Sequence, residues 1–350
     1  MGRYLNPGME SFEKSVNSEI YVDKTGLVGY TNRVMNTVQG YVCVSRPRRF
    51  GKSMAANMLT AYYSRGCDSR EIFSKFEISE SLDFEKYRNK YNTIFLNMQE
   101  FLSRSDSVEA LVDRVKKLVL RDLKREYPDV DYFDDTDLVE SMQDIYETEK
   151  CPFVVIIDEW DCIFREFRQN KEAQEKYLDF LRDLLKDKAC IHIAYMTGIL
   201  PIKKYGTHSA LNMFDEFSMI NPGPLAPYVG FTEVEVEYLC HKYRMDMEEV
   251  KAWYDGYSFS MAASVYSPRS VVNSMLFGKI ENYWNQTETF EALQVYIDMN
   301  FDGLKDDVLS MIAGERIPVN TGSFTNDMTT FRTEDDVLTL LIHLGYLAYD

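Results

Sequence analysis

This 350-residue sequence has no run of about 18 apolar residues, so it encodes no helix able to cross a bilayer. Residues Met1–Glu10 lack the apolar core that a secretory signal requires. The six cysteines are scattered without a C-x-x-C pair and the four histidines are isolated, which argues against a zinc site or a disulfide framework. Cys43, Cys151 and Cys190 lie in or beside apolar runs, where buried thiols are common, and a reducing cytoplasm is the expected location. Positive charge is scarce. With 39 Lys and Arg against 56 Asp and Glu, the net charge of −17 argues against a broad, sequence-independent grip on nucleic acid. No internal repeat or low-complexity tract is present.

Against that acidic background, residues 41–53 carry Arg46, Arg48, Arg49 and Lys52 and no acid. The stretch reads as a short hydrophobic strand, Tyr41–Ser45, running into Arg46-Pro47-Arg48-Arg49-Phe50-Gly51-Lys52-Ser53 and then a helix. A solvated basic turn is one reading; a pocket for a small polyanion is the other, and the flanking strand and helix favour it. Gly51 lets backbone approach a phosphate, Lys52 reaches the β and γ oxygens, and Ser53 offers a hydroxyl to Mg²⁺. The G-x-x-x-x-G-K-[ST] template expects glycine at position 46, where this sequence has arginine. Met54 follows directly and joins Arg46–Ser53 as a candidate nucleotide contact.

Up to residue 222 apolar strands alternate with helical patterns, the signature of a parallel α/β sheet. Expected core strands are Tyr41–Ser45, Thr93–Asn97, Phe153–Asp158 and Ile191–Thr197. A helix over 52–64 places Met54, Met58, Leu59 and Tyr62 on one face. Another, over 108–126, is periodic through Val108, Leu111, Val112, Val115, Leu118, Val119 and Leu123. Asn221-Pro222-Gly223-Pro224 marks a boundary between domains at 1–222 and 223–350. Beyond it Thr232-Glu233-Val234-Glu235 reads as a capping box. Short helices are expected near 246–254, 268–277, 288–298, 305–313 and 334–344, with a turn at Asp255-Gly256. Residues 345–350 read as a strand that has just begun and needs a partner, so further sequence is expected beyond Asp350.

A phosphate loop needs an acid at the end of a neighbouring buried strand, and Phe153-Val154-Val155-Ile156-Ile157-Asp158-Glu159 supplies it. Asp158 would hold Mg²⁺ with Ser53, and Glu159 would polarise the water that attacks the γ-phosphate. Thr197 closes the next apolar strand, either as a sensor of the γ-phosphate or as a strand-terminal cap. Lys203 and Lys204 either reach phosphate or are exposed.

At this point the sequence resembles the bacterial predicted AAA-ATPase-like proteins, P-loop ATPases often fused to a C-terminal PD-(D/E)XK nuclease domain. The resemblance rests on Tyr21-Val22-Asp23-Lys24-Thr25, Arg46–Ser53, Ile157-Asp158-Glu159-Trp160-Asp161, Gly230-Phe231-Thr232-Glu233, Trp253-Tyr254-Asp255-Gly256-Tyr257 and Val265-Tyr266-Ser267-Pro268. It implies that Arg46 in place of the first glycine is a family trait. It also implies that Lys52, Ser53, Asp158 and Glu159 carry the roles given above, and that adenine is the preferred base. Trp160 stands where a tyrosine is more usual, and Ile199-Leu200-Pro201-Ile202 departs from the family pattern. Pro128-Asp129 is not followed by a strand with a [DE]-x-Lys ending, so any nuclease module is expected after Asp350.

The expected fold is an AAA- or STAND-like P-loop α/β domain followed by a smaller helical, winged-helix-like domain that is truncated at its C-terminal end. The expected function is a Mg²⁺-dependent ATP-hydrolysing regulatory module that couples nucleotide state to a partner or fused effector, possible homo-oligomers included. Arg48 or Arg49 would add transition-state charge to its own nucleotide or across a subunit interface. The alternative is a switch or scaffold that binds ATP or ADP with little turnover. Direct nucleic-acid binding by this chain is disfavoured.

Overall fold

The computed structural model describes residues 2–202, 211–259, 262–283, 303–322, 324, 331 and 333–350. The chain forms two compact units whose division is interleaved along the sequence. Residues 2–45, 52–198 and 211–217 belong to the first; 46–51, 199–202 and the described residues from 218 onward belong to the second. No helix among the described residues is long and apolar enough to cross a membrane.

The first unit is built on five parallel strands, β1 (Tyr41–Ser45), β2 (Asn92–Asn97), β3 (Phe153–Asp158), β4 (Ile191–Gly198) and β5 (Asp215–Phe217). They lie in the order β2-β3-β4-β1-β5, with every pairing parallel. Non-consecutive neighbours require crossovers, and helices flank the sheet. β3 shows why an unbroken apolar run forms here: all six of its residues are buried, as befits a central parallel strand without a solvent face. Each fully buried valine or isoleucine contributes about 1.5–3 kcal/mol. Register then aligns the strand ends. Ser45 pairs with Gly198, Val44 with Thr197, and Asn97 with Asp158. The C-terminal ends of β1 to β4 therefore share one rim, which is where ligands bind in open parallel sheets.

The helix Val108–Glu126 starts at Ser107, whose hydroxyl accepts the Ala110 N–H. Val108, Leu111, Val115, Val119 and Leu123 are buried as the periodicity predicts, while Val112 and Leu118 are half-buried at the stripe's edge. The helix Lys52–Tyr63 differs from expectation at Met54, which is 43% exposed. Eight of its residues from Ala55 onward are buried, because it packs on β2, β3 and β4 and also on the helices Glu10–Val16 and Gly26–Val34. Only its first turn opens to solvent. Residues 4–6, unassigned by sequence, run antiparallel to β2, with Leu5 opposite Ile94 and the Phe95 N–H donating to the Tyr4 carbonyl. They cover an edge whose amides would otherwise be open to another strand.

The second unit mixes helices with a three-stranded antiparallel sheet, β6 (Phe231–Thr232), β7 (Asp255–Phe259) and β8 (Ala262–Tyr266), in the order β6-β8-β7. The expected capping box is present: the Thr232 side chain accepts from Glu235 N–H, and the Glu235 carboxylate accepts from Thr232 N–H. Helices Met247–Tyr254, Pro268–Phe277, Leu304–Ile312 and Glu334–Leu344 match expectation within a residue, and the helix expected over 288–298 lies outside the described residues. Asp255-Gly256 is not a turn. It begins β7, where Asp255 pairs with Tyr266 of β8, and the terminal segment bridges its other side: the Tyr349 N–H donates to the Gly256 carbonyl and the Ser258 N–H to the Tyr349 carbonyl. The partner of that terminal segment thus lies upstream.

His343, on the Glu334–Leu344 helix, is buried and stacked on Phe324. Burial, reinforced by the nearby Arg46 charge, lowers its pKa from 6.5 to about 3. In the unfolded chain the ring takes a proton near its ordinary pKa, whereas the folded ring stays neutral. Stability contributed by this site is therefore present above pH 6.5 and lost as pH falls from there toward 3. Urea denaturation across this window should show wild-type stability falling by up to about 1.4 kcal/mol per pH unit more steeply than in His343→Leu.

Candidate nucleotide site

In the first unit, the rim where β1 to β4 end collects charge that a hydrophobic sheet cannot hold alone. Lys52, Asp158 and Asp161 are buried, at 4%, 1% and 0% exposure. Lys52 opens the helix after the loop, Asp158 ends β3, and Asp161 follows one turn later. Burial lowers the Lys52 pKa, an effect opposed by Glu159, Asp161 and Asp158 and reinforced by Arg165. Burial raises the Glu159 pKa, against Lys52 and Arg165, which favour its charged form; Asp161 and Asp158 push it further up. These groups interlock, and removing one leaves others buried without compensation.

Asp158 is held from three sides. Thr197 Oγ1 bonds its Oδ1, the Glu159 N–H donates to the same oxygen at 3.1 Å, and Asn97 Nδ2 donates to Oδ2 at 3.3 Å. Thr197, a candidate for phosphate sensing, is fully buried and its hydroxyl meets the Asp158 carboxylate. Asn97 was not singled out from sequence. Its signal was a polar residue closing an apolar strand in register with Asp158.

Glu159 adopts a left-handed backbone, φ 55°, uncommon for a residue with a side chain. Two bonds fix that turn: the Cys162 N–H donates to the Glu159 carbonyl at 3.1 Å and the Trp160 N–H to the Thr197 carbonyl at 3.0 Å. Trp160, where a tyrosine is more usual, is fully buried against Phe164 and its carbonyl accepts from Tyr177 Oη at 2.8 Å. It also explains Gly198. A Cβ there would lie 2.6 Å from Trp160 Nε1 and 2.9 Å from Asp161 Oδ1. Arg165, also missed from sequence, pairs with Glu159 Oε2 through Nη2 and with Asp161 Oδ2 through Nε at 3.3 Å.

Ser53 and Met54 are exposed in the first turn of the Lys52 helix. A hydroxyl and a carboxylate are hard oxygen donors that suit Mg²⁺, so Ser53 and Asp158 fit the metal expected there.

The remaining loop residues, Arg46–Gly51, belong to the second unit. Arg46 is buried, its Nε donating to the Val229 carbonyl at 3.3 Å, and Pro47 is buried beside it in sequence. Phe50 meets the Tyr257 ring edge-on at 6.0 Å. Gly230 sits at φ 122°, where a Cβ would meet Val265 Cγ1 at 2.4 Å and Phe50 Cδ1 at 3.3 Å. Arg48 is exposed and Arg49 half-buried. Arg49 at φ 69° and Gly51 at φ 89° have left-handed backbones. Lys203 and Lys204 lie outside the described residues.

A family model described as "Predicted AAA-ATPase" matches residues 6–207, and the chain belongs to that family. The uncharacterised protein in the vnfD 5′ region of Azotobacter chroococcum mcd 1 is 25% identical over 298 residues, 81% of this chain and 54% of that protein. The chain thus spans about half the length of that curated relative. Among solved structures it is similar to the Aeropyrum pernix ORC2 protein in ADPNP–ADP complexes, at 14% identity and TM-score 0.30, over 64% of this chain and 54% of that one. It is also similar to Cdc6p from Pyrobaculum aerophilum, at 12% identity and TM-score 0.28, over 77% and 67%. Scores this low carry no weight for the chemistry.

The tight fit over Gly198 gives a direct check. Gly198→Ala should lower stability by about 1–3 kcal/mol in urea denaturation and shift tryptophan fluorescence as Trp160 is displaced.

Proposed function

We propose that this member of the predicted AAA-ATPase family binds ATP with Mg²⁺ and hydrolyses it, as a module that transmits nucleotide state to a partner or fused effector. The observation that carries the reading is the buried Lys52 ammonium, which lies in the field of Glu159, Asp161 and Asp158 at the rim where the parallel strands end. Lys52, Asp158 and Asp161 are buried with Glu159 half-buried beside them, a costly arrangement that a polar ligand at the rim would account for, since a packed apolar cluster would be at least as stable.

In this reading Lys52 and the amides of Arg46–Gly51 bind the β and γ phosphates, and Arg48 and Arg49 add positive charge. Met54 lies beside the bound nucleotide. Ser53 and Asp158 would hold Mg²⁺, which supplies charge neutralisation to the phosphate oxygens when bound. Thr197 and Asn97 orient the Asp158 carboxylate through the bonds they donate to it. Glu159 orients a water in line with the γ-phosphorus and takes a proton from it as the terminal P–O bond of ATP breaks. The loop runs without a break into the Lys52 helix, so occupancy of the loop acts on both segments of chain.

A second reading, a nucleotide-holding switch with little turnover, is favoured by one observation: Asp158 and Glu159 already have bonded partners. Single-turnover kinetics on the wild-type chain separates the two.

Lys52→Ala should weaken nucleotide binding and abolish turnover. Glu159→Gln should keep binding and lower kcat roughly 10³-fold. EDTA should abolish turnover in the wild type, and excess Mg²⁺ should restore it. Turnover that survives Glu159→Gln would remove the base from Glu159.

A further inference from the structure

Three features of the first unit converge on a residue to which the hydrolysis mechanism gives no part. Glu159 stands on a left-handed backbone at the start of a turn, with its side chain 22% exposed. Nothing in its own strand fixes that side chain, since β3 has ended at Asp158. Its carboxylate Oε2 is instead engaged by Arg165 Nη2. Arg165 is 10% exposed, and its Nε lies 3.3 Å from Asp161 Oδ2, whose side chain is wholly buried. The guanidinium thus spans two carboxylates, one buried and one at the rim.

We propose that Arg165 is the positioning residue for Glu159, held in place by Asp161, so that Asp161, Arg165 and Glu159 act as one unit. The inference rests on the ATPase reading of the same site. A guanidinium is rigid and planar, so the attraction of its Nε to Asp161 Oδ2, an ion pair without a hydrogen bond, limits where Nη2 can lie. Arg165 is also anchored by its backbone, since its N–H donates to the Asp161 carbonyl at 3.3 Å and the short helix Cys162–Glu166 begins there. With Oε2 taken by Arg165, Oε1 is the oxygen left to orient the attacking water. A glutamate has three side-chain torsions, and without this contact its carboxylate samples positions from which no water can be aligned. Misplacement of a reacting group by about 1 Å costs on the order of 10²-fold in rate.

The test compares kcat, KM and the affinity for a fluorescent ATP analogue in Arg165→Gln, Arg165→Lys and Asp161→Asn, each also in the Glu159→Gln background. Arg165→Gln should lower kcat roughly 10²-fold with nucleotide affinity within about threefold of wild type. Arg165→Lys should recover part of that loss, and Asp161→Asn should fall between wild type and Arg165→Gln. In the Glu159→Gln background Arg165→Gln should add no further loss, since residues acting as a unit are not additive. Unchanged kcat in Arg165→Gln overturns the proposal, and so does a raised kcat, which would make the ion pair a restraint. A full additional loss in the Glu159→Gln background also overturns it, because Arg165 would then act independently. If Arg165→Gln does not fold, Arg165→Lys decides alone: lowered kcat with unchanged affinity supports the role, and unchanged kcat removes it. A wild-type chain that binds the analogue but does not hydrolyse ATP would sink the ATPase reading itself, an outcome distinct from any result with the Arg165 variants.

Discussion

Charge brought to the end of an apolar sheet must be balanced where it stands. Asp158 closes a strand with no solvent face, and Asp161 lies deeper still. Buried polar groups of this kind need partners built around them. Lys52 and Arg165 supply the cations; Thr197, Asn97 and the Glu159 amide supply donors to Asp158. The rest of the first unit follows from that need. Parallel pairing in a fixed register brings the donors to Asp158, and the helix after the loop delivers Lys52 from the far end of β1. Gly198 leaves room for Trp160 and Asp161 to close over the strand ends.

Much of this was legible in the sequence because the signals were local. β1 and β3 were read with their observed limits, since four or more apolar residues ending in a polar one leave little choice. The capping box at Thr232 and the helix at Pro268 were legible for the same reason, each being fixed by residues three or four apart. Asp158, Glu159 and Lys52 stand out in the sequence as charges set beside apolar runs, and Lys52 and Asp158 are buried in the fold.

What the sequence hid is non-local. Arg165 looks like any basic residue on a short helix, and only the fold shows that it joins two acids at the end of β3. Asn97 acquires meaning only through its register with Asp158. Residues 4–6 have no strand-like pattern, and their pairing with β2 depends on an edge 90 residues away in sequence. Asp255-Gly256 carries the composition of a turn, yet pairing with β8 and with Tyr349 holds it extended. Met54 satisfied the helical period and still faces outward, because periodicity cannot tell how many sides of a helix are covered.

The packing around Gly230 carries a consequence for how variants of this protein will be read. Arg46 and Phe50 are interior residues of the second unit, resting on Val229, Gly230 and Tyr257. The loop Arg46–Gly51 is therefore not an appendage of the strand that precedes it; its shape is inherited from residues some 180 positions later in the sequence. A side chain introduced at Gly230 would press on Val265 and Phe50 and so distort the Arg46–Gly51 loop. In genetic terms, a change at Gly230 would be felt in a segment of chain remote from it in sequence.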